Sequence, residues 1–468
     1  MLLKYIDREV KTIRREWQTH RRKIAKQLSP SERSILTELD DIFFNATAKL
    51  LVDLQSPTLT IVTTGTTSSG KSTLVNLLCG AEIIPVAVQE MSAGLVTIEY
   101  NQNTAIHIDR TSGALWECGD WYNISDREIS DRLATVMNSY LEAKYNGSID
   151  ISYPQIRIEY PIRLLSTDSR LQLPEGIKLR IVDLPGLSHQ QDIENLSLLK
   201  TCELALFLVT YNSAETDRQK VNMLLQAVVE QLKIIGGLSK NMWFLFNRID
   251  VFHGDKDRVA SEDKFIDQTK SEIDKLLTKH HLQIEPNQVA KISTMPALLS
   301  LLIKSKDEKE RIEAASRLDR NFNFLIPEDI ANDLPRNPAK WSLNECDRVA
   351  AAIWDVSYGA EFDRLLIDSL QTNLTDLIFL LIIQEFDRGL YLEIGKWADK
   401  RSKGNIIELE SINYVKTQSD RLLNRLDRAV NTSIKYRRLP QLLQQLIMYY
   451  SSWLDRISGN LARDPRSR

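Results

Sequence analysis

Gly65 to Ser72 sets two glycines five residues apart, with a lysine and a hydroxyl after the second, in the spacing GxxxxGKS. Glycine at such positions lets main-chain N–H groups turn inward around phosphate oxygens, where a side chain would clash. Lys71 supplies a point charge for β- and γ-phosphates, and the Ser72 hydroxyl suits a Mg²⁺ coordination position. The expected cradle comprises Gly65, Thr66, Thr67, Ser68, Ser69, Gly70, Lys71, Ser72 and Thr73. Its context supports it. The β-branched run around Leu59, Ile61 and Val62 reads as a strand before it, and Thr73 to Leu78 begins an apolar helical pattern after it. That helix start would add unpaired donors and the positive end of its dipole. The bland alternative is a glycine-rich turn that binds nothing, and the flanking strand and helix argue against it. A nucleoside triphosphate site is the reading.

Further residues fall in the order a guanine-nucleotide site needs. Asp183 ends an apolar strand, where its carboxylate can reach Mg²⁺ through water, and the Gly186 N–H is placed to meet the γ-phosphate. Asn247-Arg248-Ile249-Asp250 ends another strand. An acceptor-only carboxylate at Asp250 pairs with the two donors of guanine, and adenine lacks that pair. Asn247 is expected to tie this loop to the phosphate loop, and the stem and planar head of Arg248 to cover the base. Ser293, at the end of the last strand, is a candidate for contacting the base edge through its loop. Ser92 is the candidate first-switch hydroxyl completing the Mg²⁺ shell, with Thr97 as the competing choice. The ligands implied are GTP/GDP and Mg²⁺.

The elements that must position these residues alternate. Strands are expected at 94–100, 105–108, 156–160, 176–182, 203–210, 242–246 and 289–293, with helices at 125–144, 218–235 and 262–279. That alternation predicts an α/β P-loop G domain, a mostly parallel sheet with helices on both faces. Glu203 to Thr210 is continuously apolar, as in a strand covered on both sides. Before this domain, Leu3, Ile6, Val10, Ile13, Trp17, Ile24 and Leu28 step by threes and fours with one gap near His20, a narrow seam for a helical bundle. A second helix follows Pro30 and runs to about Leu54. The expected layout is N-terminal bundle helices over 1–56 and the G domain over 57–303. A charged, proline-containing insert or linker covers 304–348, and helices return to the G domain over 349–384. A C-terminal helical bundle with a disordered tail completes the chain over 385–468.

At 468 residues the chain is too long for a single ordinary core. With 43% hydrophobic and 26% charged residues it reads as a folded protein. Cys79, Cys118, Cys202 and Cys346 show no metal spacing and suit a reducing compartment. No signal peptide is read at Met1 to Lys4, and the longest apolar run, Leu377 to Ile383, is too short to span a bilayer. A cytoplasmic protein, at most peripheral on a membrane, is expected. Net charge is only −3, yet residues 1–30 hold nine Lys/Arg against three Asp/Glu and residues 421–468 ten against three. Solvated helix faces are the first reading. An anionic membrane surface is the second, and nucleic acid is less favoured without being ruled out.

These residues resemble the dynamin superfamily, particularly bacterial dynamin-like GTPases. The resemblance rests on four features. They are the loop Ser68 to Leu74, Ile84-Pro85 with a small-residue switch ending Met91-Ser92-Ala93, a long strand-bearing insertion before Asp183 to Gly186, and helical segments on both sides. It implies a GTPase whose nucleotide state moves a helical bundle and drives self-association, giving a homo-oligomer through G domains or bundle. Departures qualify it. Ser92 stands where the family has threonine. Thr67 occupies the place of the glutamine that eukaryotic dynamins use in catalysis. Leu187 follows Gly186 where small signalling GTPases orient water with glutamine. Water must then be aligned by main chain, by Ser68, by a bound cation or by a residue in trans, and slow intrinsic turnover is expected. With Lys71 and Ser92, Ser68 makes up the expected catalytic set. The rival class is a regulatory GTP-binding switch that recruits a protein or DNA partner without remodelling membranes.

Overall fold

The computed structural model describes residues 30–65, 69–86, 95–146, 151–166, 171–174, 176–184, 206–213, 242–279 and 288–374, with single positions in 8–22, at 226 and 229, and in 377–386. All of the predicted helix at 218–235 but Gln226 and Val229, every residue of the seam in 1–28 and the whole of 387–468 lie outside these described residues. The chain divides into two compact units, one of residues 58–377 and one combining 1–57 with 378–468. In the latter, α1 (Pro30–Gln55) buries Phe43, Thr47, Leu50 and Leu54, the three- and four-residue steps of one helical face.

The first unit begins with β1 (Thr58–Gly65) and α2 (Lys71–Cys79). It continues through β2 (Leu95–Tyr100), β3 (Ala105–Ile108), β4 (Gly119–Tyr122), α3 (Asp126–Tyr145), β5 (Gln155–Tyr160) and β6 (Lys178–Asp183). Then come β7 (Leu206–Asn212), β8 (Met242–Asn247), α4 (Arg258–Thr278), β9 (Val289–Lys291), α5 (Thr294–Leu302), α6 (Glu308–Phe322) and α7 (Leu343–Val356). The described strands form one sheet in the order β4-β3-β5-β2-β6-β1-β7-β8-β9. From β6 to β9 every pairing is parallel, whereas β2 runs antiparallel to β6, and β3 antiparallel to both β4 and β5. The sheet is mostly parallel, as expected.

Burial follows that change in architecture. β7 and β8 are buried at every residue, as a strand with both faces covered must be. β5 alternates, with Ile156, Ile158 and Tyr160 inside and Gln155 and Arg157 outside, so at this end one face meets solvent. The reading of the sequence omitted β4, whose Gly119-Asp120-Trp121-Tyr122 lacks the usual apolar run.

Residues 304–348, read as an insert or linker, are folded onto the sheet unit. Ala314, Ala315 and Leu318 of α6 and Cys346, Val349 and Ile353 of α7 are buried, and α5 packs against both helices. The prolines start turns here: Pro327 precedes the short helix Glu328–Ala331, Pro338 opens a 3₁₀ turn, and Pro335 O accepts from Trp341 Nε1 at 2.9 Å. Charge marked the solvent face of amphipathic helices, not a flexible tether.

Candidate functional site

Strands β1, β6, β7 and β8 run parallel and end on one edge of the sheet. Their last residues are Gly65, Asp183, Asn212 and Asn247. Ligands of open α/β sheets bind beyond carboxyl strand ends, where neighbouring connections diverge. β1 is flanked by β6 on one side and β7 on the other, so this edge has that property.

At the phosphate end, adjacency of β1 and β6 brings α2 beside Asp183. Ser72 Oγ donates to Asp183 Oδ2 at 3.0 Å, and Thr63 Oγ1 donates to Asp183 Oδ1 at 2.9 Å. Asp183 is 4% exposed and Lys71 is 5% exposed. Burial pushes the Asp183 carboxyl above its ordinary value, while the Lys71 charge and the bonds from Thr63 and Ser72 oppose the rise. Gly70 has φ 89°, and a Cβ there would lie 2.1 Å from Asn247 Nδ2. A Cβ on Gly65 would meet Ser69 Oγ at 2.5 Å and Thr210 O at 2.6 Å. Among the described residues, the buried hydroxyls Ser69 Oγ and Thr210 Oγ1 have no hydrogen-bond partner. A backbone cradle that tolerates no side chain, lined by polar atoms, fits a phosphate group. Ser72 can hold a cation through its lone pairs while its proton points at Asp183. Thr66, Thr67, Ser68 and Gly186 lie outside the described residues; Thr73 is buried within α2.

Asn247 joins the two ends of the site. Its Nδ2 donates to Ser69 O at 2.7 Å, and its Oδ1 accepts from Thr294 N at 2.9 Å in the first turn of α5. One side chain thereby ties the phosphate loop to the loop after β8 and caps a helix. Arg248 is exposed at φ 62°, and the turn it starts, Ile249–Phe252, holds Asp250 half-buried. Ser293 holds the loop that follows β8. It is 2% exposed, and its hydroxyl accepts from Asp250 N at 2.9 Å. It braces the Asp250 turn through this bond.

β2 begins beside the end of β6, with Val96 opposite Asp183. Ser92 falls in 87–94, outside the described residues; Thr97, its competitor, sits within β2 opposite Val182. Two site residues escaped the sequence. Thr63 is a plain strand residue until register places it at Asp183. Asn76, fully buried on α2, donates Nδ2 to Ile84 O and accepts from Ile84 N with its Oδ1, both at 2.8 Å, fixing the chain that leads towards the first switch. A lone amide on an otherwise apolar helix face was the available signal.

Comparison with known proteins finds a family match over part of the chain. Residues 61–240 match the sequence pattern of the Dynamin family, whose members are GTPases. A bacterial dynamin-like protein of Nostoc punctiforme (strain ATCC 29133 / PCC 73102) is 25% identical over 188 residues, 40% of this chain and 24% of that relative. The match therefore spans about a quarter of that relative's length. Two solved structures are described as an oligomerised bacterial dynamin pair that provides a mechanism for the long-range sensing and tethering of membranes. Both are 15% identical to this chain. One covers 98% of this chain and 65% of its own with a TM-score of 0.37, the other 92% and 59% with a TM-score of 0.34.

Proposed function

Starting from a chain whose residues 61–240 form a dynamin-family domain, we propose that it binds GTP and GDP with Mg²⁺ and hydrolyses GTP. The observation that carries this reading is the Asn247 bridge, which locks a phosphate cradle and an acidic loop after β8 into one site. In this reading Lys71 and the main-chain N–H groups of Gly65 to Thr73 hold the triphosphate. Ser72, with its proton directed to Asp183, ligates the cation, and Asp183 accepts from cation-bound water; Ser92 would supply the other hydroxyl. Asp250 reads the guanine edge, Arg248 covers the ring, and Gly186 contacts the γ-phosphate. Ser68 or a group supplied in trans aligns the attacking water. Self-association through G domains or helical ends then accelerates a slow basal turnover, and an anionic membrane is the surface on which this would occur.

Asp250→Asn tests the assignment of the base. The amide offers a donor where xanthine has an oxygen, so affinity should move from GTP to xanthosine triphosphate. Loss of hydrogen bonds to a charged acceptor should weaken GTP binding by roughly 100-fold. Unchanged GTP affinity in calorimetry would sink the assignment. Lys71→Ala should remove binding of either nucleotide while leaving far-UV circular dichroism unaltered.

A further inference from the structure

The turn after α7 is braced against the base-side loop more firmly than chain reversal requires. Tyr358 adopts φ 62°, a region that bulky residues rarely enter. Such a conformation persists where surrounding contacts over-determine it, and here they do. The Tyr358 hydroxyl donates to Glu262 Oε2 at 2.5 Å, and Glu262 on α4 is fully buried. Arg258 donates Nε to Glu262 Oε1 at 2.5 Å and Nη2 to Val356 O at 3.3 Å. Lys291, the last residue of β9, brings Nζ to 3.5 Å from Glu262 Oε2. Both cations also stand over the Tyr358 ring, 5.7 Å and 5.5 Å from its centroid. A buried carboxylate with two cations and a phenol around it is costly to disturb.

The same turn reaches Asp250 through the main chain. Ser357 O accepts from Ser293 N at 3.0 Å, and the Ser293 hydroxyl accepts from Asp250 N at 2.9 Å. Arg258 Nη1 lies 3.0 Å from His253 Nδ1, just past the turn that contains Asp250. On its other side Tyr358 leads directly into the helix at 359–374. Asp250, Ser293, Ser357, Tyr358 and Glu262 therefore form one continuous chain of contacts from the base loop to the start of that helix.

We propose that Glu262 and Tyr358 are positioning residues for purine selection. They clamp the 357–359 turn behind Ser293 and so set the aim of the Asp250 carboxylate, which makes selectivity depend on how the 359–374 helix is seated. The inference rests on the base-reading role proposed for Asp250. A purely structural cluster would change stability and weaken all nucleotides alike, whereas a clamp on Asp250 changes the ratio between bases. Inosine triphosphate is the discriminating probe, because it keeps the phosphates, the sugar and one of the two guanine donors.

The experiment measures GTP and inosine triphosphate affinities of the full chain by competition against a fluorescent guanine nucleotide, for wild type, Tyr358→Phe and Glu262→Gln. A ratio of affinities does not depend on the fraction of protein that is folded, so a destabilised variant still reports. The wild type should prefer GTP. Both variants should lower that preference by about fivefold, the equivalent of one neutral hydrogen bond, with little change for inosine triphosphate. Ser293→Ala, which deletes the last link, should do the same. A preserved ratio, or parallel weakening of both nucleotides, overturns the clamp. A wild type without preference overturns the base-reading role of Asp250 itself.

Discussion

Asp183 is the residue at which chemistry and stability oppose each other. Its folded-state carboxyl titrates above the ordinary 3.8 because burial disfavours its charge, against the pull of Lys71, Thr63 and Ser72. A carboxyl raised in the folded state binds its proton more tightly there than in the unfolded chain. Its contribution to stability is then full below pH 3.8 and is lost as pH rises through the raised value. Asp183→Asn removes the titration yet keeps an acceptor for Thr63. Without metal, the variant should melt a few degrees higher at pH 7, and its melting temperature should lose the decline with rising pH that Asp183 contributes. Mg²⁺-dependent nucleotide binding should disappear. A lower metal-free melting temperature would contradict this account. The residue was legible in the sequence because an acid closing an apolar strand is conspicuous. Thr63, its hydrogen-bond donor, was not, since nothing in Thr-Ile-Val-Thr-Thr separates one threonine from another before register is known.

At the scale of elements, the site is an arrangement of strand ends pinned by one amide. Asn247→Ala would strip partners from Ser69 O and Thr294 N at once, leaving two buried main-chain groups unmet at about 1–3 kcal/mol each. Gly70→Ala attacks the same joint from the other side, through its positive φ and the approach to Asn247 Nδ2. Both variants should lose nucleotide affinity together with thermal stability; a variant that melts normally but no longer binds would show that the joint serves the ligand alone. The central strands were readable because a short, unbroken apolar run rich in β-formers suits a strand covered on both faces and little else. β4 was not, because a short, alternately exposed strand is specified by its pairing with β3 more than by its own residues. The helices of 304–348 were obscured for a related reason: charge on an outward face and proline at a helix start look locally like a linker, and only packing on α5 reveals the buried stripe. Ser293 was expected to end a strand over 289–293, but β9 stops at Lys291 and Ser293 caps α5, a boundary that an apolar run leading straight into a helix does not mark.

For the whole molecule, the proposed function raises the question of how a nucleotide-dependent change would leave the sheet unit. Arg163 donates its two terminal nitrogens to the Asp363 carboxylate at 2.6 and 2.9 Å, and Asp363 lies on the helix at 359–374, which carries the chain towards the second unit. Breaking this half-buried pair with Asp363→Asn should leave inosine triphosphate affinity within about twofold, since neither residue approaches the cradle, but should reduce any stimulation of turnover by self-association. Competition binding reads the first effect, and turnover per molecule over a concentration series reads the second. A wild-type rate that is high and flat with concentration would remove the need for a partner subunit. Among the described residues no helix is long and apolar enough to cross a membrane, so pelleting with anionic liposomes, with and without GTP, is the direct test of surface attachment.

The far end of α2 carries a mechanical consequence. Arg163 Nε takes the carbonyl of Leu77 at 3.0 Å, while the near end of the same helix presents Lys71 and Ser72 to the cradle. Nine residues of α-helix make a stiff strut of about 13 Å, too short to bend appreciably. A displacement where the phosphates sit would be carried along this strut to the guanidinium, and from there to the helix that the guanidinium holds.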